Sequence, residues 1–362
     1  MKDVFTNILK FVVFTAIGVG ILYWVYTTQN EPYIAGLKAT NSYHQGDTLL
    51  DKIVRDFQSV NLLWIGVTML MFTISNLSRA YRWELLLHPL GFNPRTRNTY
   101  SAVMVAYLAN LAISRIGEFV RCTYLYRFEK IPPTKLFGTV VVDRLLDVMC
   151  LLVAIAITFL LQFSKIWSFL HDNADFAAKL ALINQPIVWV VCAIGLVGLA
   201  SLYMQRARFA ETAIYSKVRG MITGFLEGLK TIGQLEQKWV FLGHTVLIWV
   251  CYYLMTYFCF KSFAATENLG AVAALTVFVF GSMGIVVPSP GGMGSFHFLA
   301  TAALLLYGVP NGDAFSFANI QFVTVNLCII FFGIFAFAVT PFINRGYQPI
   351  LPTEAAENLA IS

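Results

Sequence analysis

Ser114-Arg115-Ile116-Gly117-Glu118-Phe119-Val120-Arg121 follows directly on the largely apolar run 102–113 and puts three charged side chains where membrane-embedded backbone is expected. A second interruption, Pro288-Ser289-Pro290-Gly291-Gly292-Met293-Gly294-Ser295-Phe296-His297, breaks an apolar region in the other half of the chain. Hydrocarbon cannot hydrogen-bond the free ends of a broken helix. Such breaks persist only inside protein or beside a wet cavity. Two of them in matching places are the sequence signature of a transport site.

The rest of the chain supports a membrane reading. Of its 362 residues 58% are hydrophobic and only 12% charged, about half the charge of a soluble domain. Long uncharged runs mark an integral α-helical membrane protein. The 31 Phe and 16 Tyr suit a lipid-facing surface with interfacial rings. The net charge of +6 is spread over loops and carries no nucleic-acid signal. The cysteines form no CxxC pair and read as small buried hydrophobes rather than metal ligands or disulfides. No cofactor motif is present, and the scattered histidines suggest no metal cluster.

Six stretches approach the length of about 20 residues that crosses a bilayer: 9–26, 61–81, 137–163, 187–204, 239–260 and 317–343. The first follows Lys2 and Lys10 and reads as an uncleaved signal anchor. Residues 99–126 and 270–307 read as helix-break-helix hairpins, the second with two short crossings as its alternative. With the N-terminus cytoplasmic, only Lys38, Lys52, Arg55, Lys165, Lys179 and Lys261 fall outside. This is the bias of the positive-inside rule. Both termini are then cytoplasmic.

The expected architecture is all-α: a single transmembrane domain over 1–362, with six full spans and two hairpins. Each half, 1–163 and 187–343, reads span, span, hairpin, span in opposite orientation, an inverted repeat. Residues 205–238 form a cytoplasmic interfacial helix, with Ile214, Val218, Met221 and Phe225 on its apolar face. Leu49, Ile53, Phe57 and Val60 make a similar stripe before the second span. Residues 345–362 read as a flexible tail.

The chemistry concentrates in three places. Arg115, Glu118 and Arg121 would share a helix face, with Gly117 permitting a sharp turn or close approach. One acid between two guanidiniums leaves positive charge for a phosphate, although a plain basic loop fits the same letters. Asp143, Arg144 and Asp147 lie inside a hydrophobic helix and need partners. Arg115 or Arg121 suit the two aspartates, and Arg144 suits Glu118 or a lipid phosphate. A structural lock and a ligand site are both open readings. In the second break, Pro288 and Pro290 remove backbone donors. Gly291, Gly292 and Gly294 permit close approach, and Ser295 is the expected N-cap of the next helix. That helix start could cradle an anion or be a plain turn. His297 fits a core histidine better than a proton relay.

The order Arg-x-Gly-Glu-x-x-Arg, Asp-Arg-x-x-Asp, Pro-x-Pro-Gly-Gly-x-Gly resembles the lysylphosphatidylglycerol synthase transmembrane-region family, over about 61–343. Arg79-Ala80-Tyr81-Arg82-Trp83 also resembles it. The resemblance implies binding or translocation of an anionic phospholipid or polyprenyl-type lipid in a bacterial cytoplasmic membrane. It makes this chain a stand-alone member, since family members that synthesise the lipid carry a further soluble domain. His297 departs from the family, which is expected to have an acidic residue there. The expected partner is an anionic lipid and no nucleic acid; the oligomeric state is left open. An enzyme acting on a lipid headgroup and a non-transporting assembly partner are the alternatives.

Overall fold

The computed structural model describes residues 48–113, 115–165, 235–287, 289 and 292–349, the backbone of 166–172, and isolated positions between 20 and 38. Pro288, Pro290 and Gly291 fall outside these residues. So do the spans expected at 9–26 and 187–204 (apart from isolated positions in the first), the interfacial helix at 205–238 up to residue 234, and the tail beyond 349.

Among the described residues every regular element is helical: α1 (Leu49–Ser59), α2 (Leu62–Leu87), α3 (Thr96–Ala112), α4 (Gly117–Glu129), α5 (Pro133–Asp172), α6 (Lys238–Ser262), α7 (Ala271–Val286), α8 (Ser295–Leu305) and α9 (Asn311–Ile343). Four are long and apolar enough to cross a membrane: α2, α5, α6 and α9. The protein is a multi-pass membrane protein. Residues 159–234 form a second compact unit, of which only the continuation of α5 past a kink at Gln162 is described.

Local signals set the boundaries. Thr48 caps α1 by accepting from the Asp51 amide at 3.2 Å, and Asn61 caps α2 through Leu63 at 3.0 Å. Leu49 and Ile53 bury the apolar stripe of α1 against Phe315 of α9. The polar side of α1 is anchored by Lys52, 2.6 Å from Asp313 and 2.5 Å from Asp56. Pro133 starts α5 at the helix position that lacks a hydrogen-bonding duty.

Each expected hairpin corresponds to a pair of packed helices. α3 and α4 pack on each other across a break at 113–116, and α7 and α8 do the same across 287–294. Glycines make each approach possible. A Cβ on Gly117 would lie 2.4 Å from the Ala106 carbonyl oxygen, and one on Gly284 would lie 2.7 Å from that of Ser295. α2 packs most extensively on α6, and α9 packs on α3 and α8. Trp83, Leu87, Phe92, Met104, Cys122 and Leu125 form the core around the first hairpin. Phe260, Val277, Phe296, Leu304 and Phe317 form the core around the second.

Candidate functional site

α2 is longer than the expected span. No Gly or Pro lies between Gly66 and Pro89, so Arg79 and Arg82 remain on the helix rather than in a loop. Both are buried, at 2% and 0% exposed. This corrects their place in the charge count: together with buried Arg121, they line the interior and do not report orientation.

Three apart on one helix, Arg79 and Arg82 face one side and meet Asp143 and Asp147, which are four apart on α5. Arg82 Nη2 lies 2.6 Å from Asp143 Oδ1 and 2.7 Å from Asp147 Oδ1. Arg79 Nη1 donates to Asp147 Oδ2 at 2.8 Å, and its Nη2 donates to the Tyr252 hydroxyl of α6 at 3.0 Å. Arg121 Nη1, from α4, donates to the other oxygen of Asp143 at 2.9 Å. The aspartates therefore join α2, α4 and α5 through side chains. Ionised groups in such a setting are tolerable only when paired, because desolvation costs several kcal/mol per ion.

The expected partnerships held in part. Arg121 pairs with Asp143, and Arg144 Nε lies 2.6 Å from Glu118 Oε1. Arg115 does not pair with the aspartates. It leaves the helical face shared by Glu118 and Arg121, with φ of 65° in the break. Its Nη2 reaches across to the carbonyl oxygen of Val286, the last residue of α7, at 3.0 Å. That carbonyl lacks an intrahelical donor because the helix ends there. The two breaks are thus in direct contact.

The cluster is unevenly satisfied. Arg79, Arg82, Arg121 and Arg144 stand against Glu118, Asp143 and Asp147, one arginine in excess. Arg121 is 1% exposed, and among the described residues its Nε and Nη2 donate no hydrogen bond. Its guanidinium lies over the Trp83 ring, 3.9 Å from the centroid, an attraction that offsets only part of the lost hydration. Trp83 is itself fixed by Nε1 donating to Thr139 Oγ1 at 2.9 Å. Glu118 Oε2 is also buried without a donor. Arg144 and Glu118 are the open members, with side chains 38% and 32% exposed.

At the second break Gly292 and Gly294 take positive φ, 81° and 82°, conformations that disfavour residues with a Cβ. Gly294, not Ser295, is the N-cap of α8. Ser295 Oγ instead ties off the turn, donating to the Gly284 carbonyl at 2.7 Å. His297 occupies the third helical position, and its Nδ1 accepts from the Gly294 amide at 3.3 Å. That is the reciprocal half of a capping box, a task usual for Glu or Gln. The ring also packs on Phe322 at 4.6 Å between centroids. Buried to 1% exposure, His297 is a core histidine whose Nδ1 is engaged at its own helix start. Among the described residues no three His, Cys, Asp or Glu side chains converge as a metal site.

The sequence profile of the lysylphosphatidylglycerol synthase TM region matches residues 46–333. The chain belongs to this family. The match takes in α1 to α8 and most of α9, hence every residue of the charged cluster. A curated relative, UPF0104 membrane protein MJ1595 of Methanocaldococcus jannaschii, is 28% identical over 101 residues, or 27% of this chain. That alignment spans 30% of the archaeal protein. No solved structure matches the chain. The motifs at residues 115–121, 143–147 and 288–294 all lie within the match. The geometry above joins Glu118 and Arg121 of the first to Asp143, Arg144 and Asp147 of the second in one ion network, with Arg115 apart from it.

Proposed function

We propose that this protein moves an anionic (phospho)lipid between the leaflets of a bacterial cytoplasmic membrane. The observation that carries the reading is the buried arginine–carboxylate cluster with one arginine in excess, seated beside the contact between two helix breaks. Arginine presents a planar fork of donors matched to phosphate oxygens. Charged side chains at membrane depth are costly and mark the path of a charged substrate. Contact between two broken hairpins supplies the movable part.

The full architecture that suits this activity has six spans, with 1–163 and 187–343 as inverted halves and both termini cytoplasmic. The hairpins α3–α4 and α7–α8 then enter from opposite sides, and their breaks meet at Arg115 and Val286. Arg144 and Glu118, the half-exposed members, form the entrance. Arg79, Arg82 and Arg121 provide the positive interior, oriented by Asp143 and Asp147. The glycines at 292 and 294 serve as the hinge of the second hairpin. Family membership supports a lipid-related role.

The test is transport itself. Purified protein in liposomes with a fluorescent anionic phospholipid should expose inner-leaflet label to a membrane-impermeant quencher. Arg144→Ala should abolish that exposure. Flipping by the variant at the wild-type rate would refute the site assignment, and no flipping by wild type would refute the transport reading.

A further inference from the structure

Two buried vacancies lie one helical turn apart on α4. Glu118 Oε2 has no donor, and Arg121 Nε and Nη2 have no acceptor, among the described residues. Glu118 and Arg121 are separated by three residues, the spacing at which helical side chains meet. In the structure Glu118 spends its other oxygen on Arg144, across the gap to α5. The better-buried Arg121 thus has Asp143 on Nη1 and no acceptor for its other two nitrogens, while the half-exposed Arg144 faces the Glu118 carboxylate in an ion pair whose Nε makes no hydrogen bond.

We propose, on the basis of the lipid reading above, that Glu118 is an exchangeable counter-ion that selects a monoanionic phosphate diester. An incoming diester takes Arg144, the exposed member of the pair. Glu118, displaced, turns within its own helix to Arg121 and fills the vacancy there. No bond is made or broken other than hydrogen bonds and ion pairs. Charge decides the class of ligand. Four arginines against three carboxylates leave a single positive charge, so one monoanion makes the network neutral. A phosphate monoester, a dianion above neutral pH, would overshoot, and the desolvation cost of an uncompensated charge would fall on it. Glu118 is in this account a positioning and specificity residue.

The experiment measures equilibrium binding to the full-length protein in detergent at pH 8. The probes are short-chain phosphatidylglycerol as diester, short-chain phosphatidic acid as monoester, and inorganic phosphate. Wild type should prefer the diester over the monoester by about tenfold. Glu118→Gln raises the surplus to two positive charges and should shift the ratio toward the monoester by at least about tenfold. Arg144→Gln makes the network neutral without ligand and should lose diester binding while remaining folded. An unchanged selectivity ratio in a monodisperse Glu118→Gln protein would overturn the proposal, because a merely structural ion pair predicts that result. So would wild-type diester affinity in Arg144→Gln. Inorganic phosphate binding as tightly as the diester would overturn the headgroup assignment. Because binding is read without transport, the predicted selectivity in a protein that does not flip lipid would remove the transport reading and leave this one standing.

Discussion

Arg115 and Val286, 171 residues apart in the chain, meet at 3.0 Å across two helix breaks. The guanidinium of one hairpin satisfies the terminal carbonyl of the other. Arg115 is held there with φ of 65°, a backbone conformation that costs about 1 kcal/mol for a residue with a Cβ. The surrounding turn holds that conformation, so the contact is specific to this arrangement of the hairpins.

Removing it should uncouple the breaks with little loss of stability. Arg115→Ala gives up one hydrogen bond at an exposed site, about 1 kcal/mol. Its thermal unfolding in detergent should stay within a few degrees of wild type. Its rate of lipid flipping in liposomes should fall by about tenfold or more. A normal rate would show that the Arg115–Val286 contact is not part of the moving element.

Asp143 should be the least replaceable carboxylate. It is fully buried and serves Arg82 and Arg121 on separate oxygens. Asp143→Asn leaves Arg121 without its counter-ion and Arg82 with Asp147 alone, a loss of about 3–5 kcal/mol. Adding Arg121→Gln removes one orphaned charge and should restore part of that stability. A double-mutant cycle by thermal unfolding checks it, with additive losses counting against the pairing.

Glycine substitutions separate close approach from mere flexibility. Gly117→Ala would place a methyl 2.4 Å from the Ala106 carbonyl oxygen and 2.5 Å from the Asn110 amide. Overpacking of this kind costs about 1–3 kcal/mol. Gly138→Ala meets nothing within 4 Å and should be neutral or slightly stabilising in its helix. Melting temperatures of the pair give the comparison.

Lys52 ties α1 to α9 through Asp313. Burial works against its charge, yet hydrogen bonds and charge from Asp313 and Asp56 hold the ammonium above the ordinary lysine value of 10.5. A raised folded-state value means the contribution is complete below pH 10.5 and is lost only as pH climbs through the still higher folded value. Lys52→Met should therefore weaken α1 at neutral pH, by about 1 kcal/mol for a partly exposed network. Hydrogen exchange of the α1 amides should speed up in the variant and remain unchanged between pH 6 and 9 in the wild type after correction for intrinsic rates.

Much of the site was legible before the fold. Charges at 115–121 and 143–147 inside apolar runs demanded partners, and Glu118–Arg144 and Arg121–Asp143 were found by complementarity of charge alone. The error lay at Arg79 and Arg82. The positive-inside count takes every arginine near a span's end as facing the cytoplasm, so Arg79, inside the 61–81 span, and Arg82, just beyond it, are counted there although both are buried. Helix continuity through residue 87, with no Gly or Pro between Gly66 and Pro89, was the available signal. Arg115 failed for the opposite reason: helical spacing was applied to a residue that sits in the break. Ser295 looked like an N-cap by residue type, but the positive φ of Gly294 shifts the helix start by one position.

Residue order alone establishes that the chain is helical and membrane-embedded, that both halves contain a broken helix, and that the charges at 115–121 and 143–147 need partners. Hydropathy and helix breaking are properties of consecutive residues, and the cost of a buried charge does not depend on where its partner lies in the chain. Only the tertiary structure decided the partners: Asp143 and Asp147 with Arg79 and Arg82 of α2, Arg115 with the end of α7, and His297 with its own helix start. Those choices depend on which faces of α2, α4, α5 and α6 oppose one another. That is fixed by long-range packing and by the glycines that let the hairpin limbs close, and no local pattern encodes it.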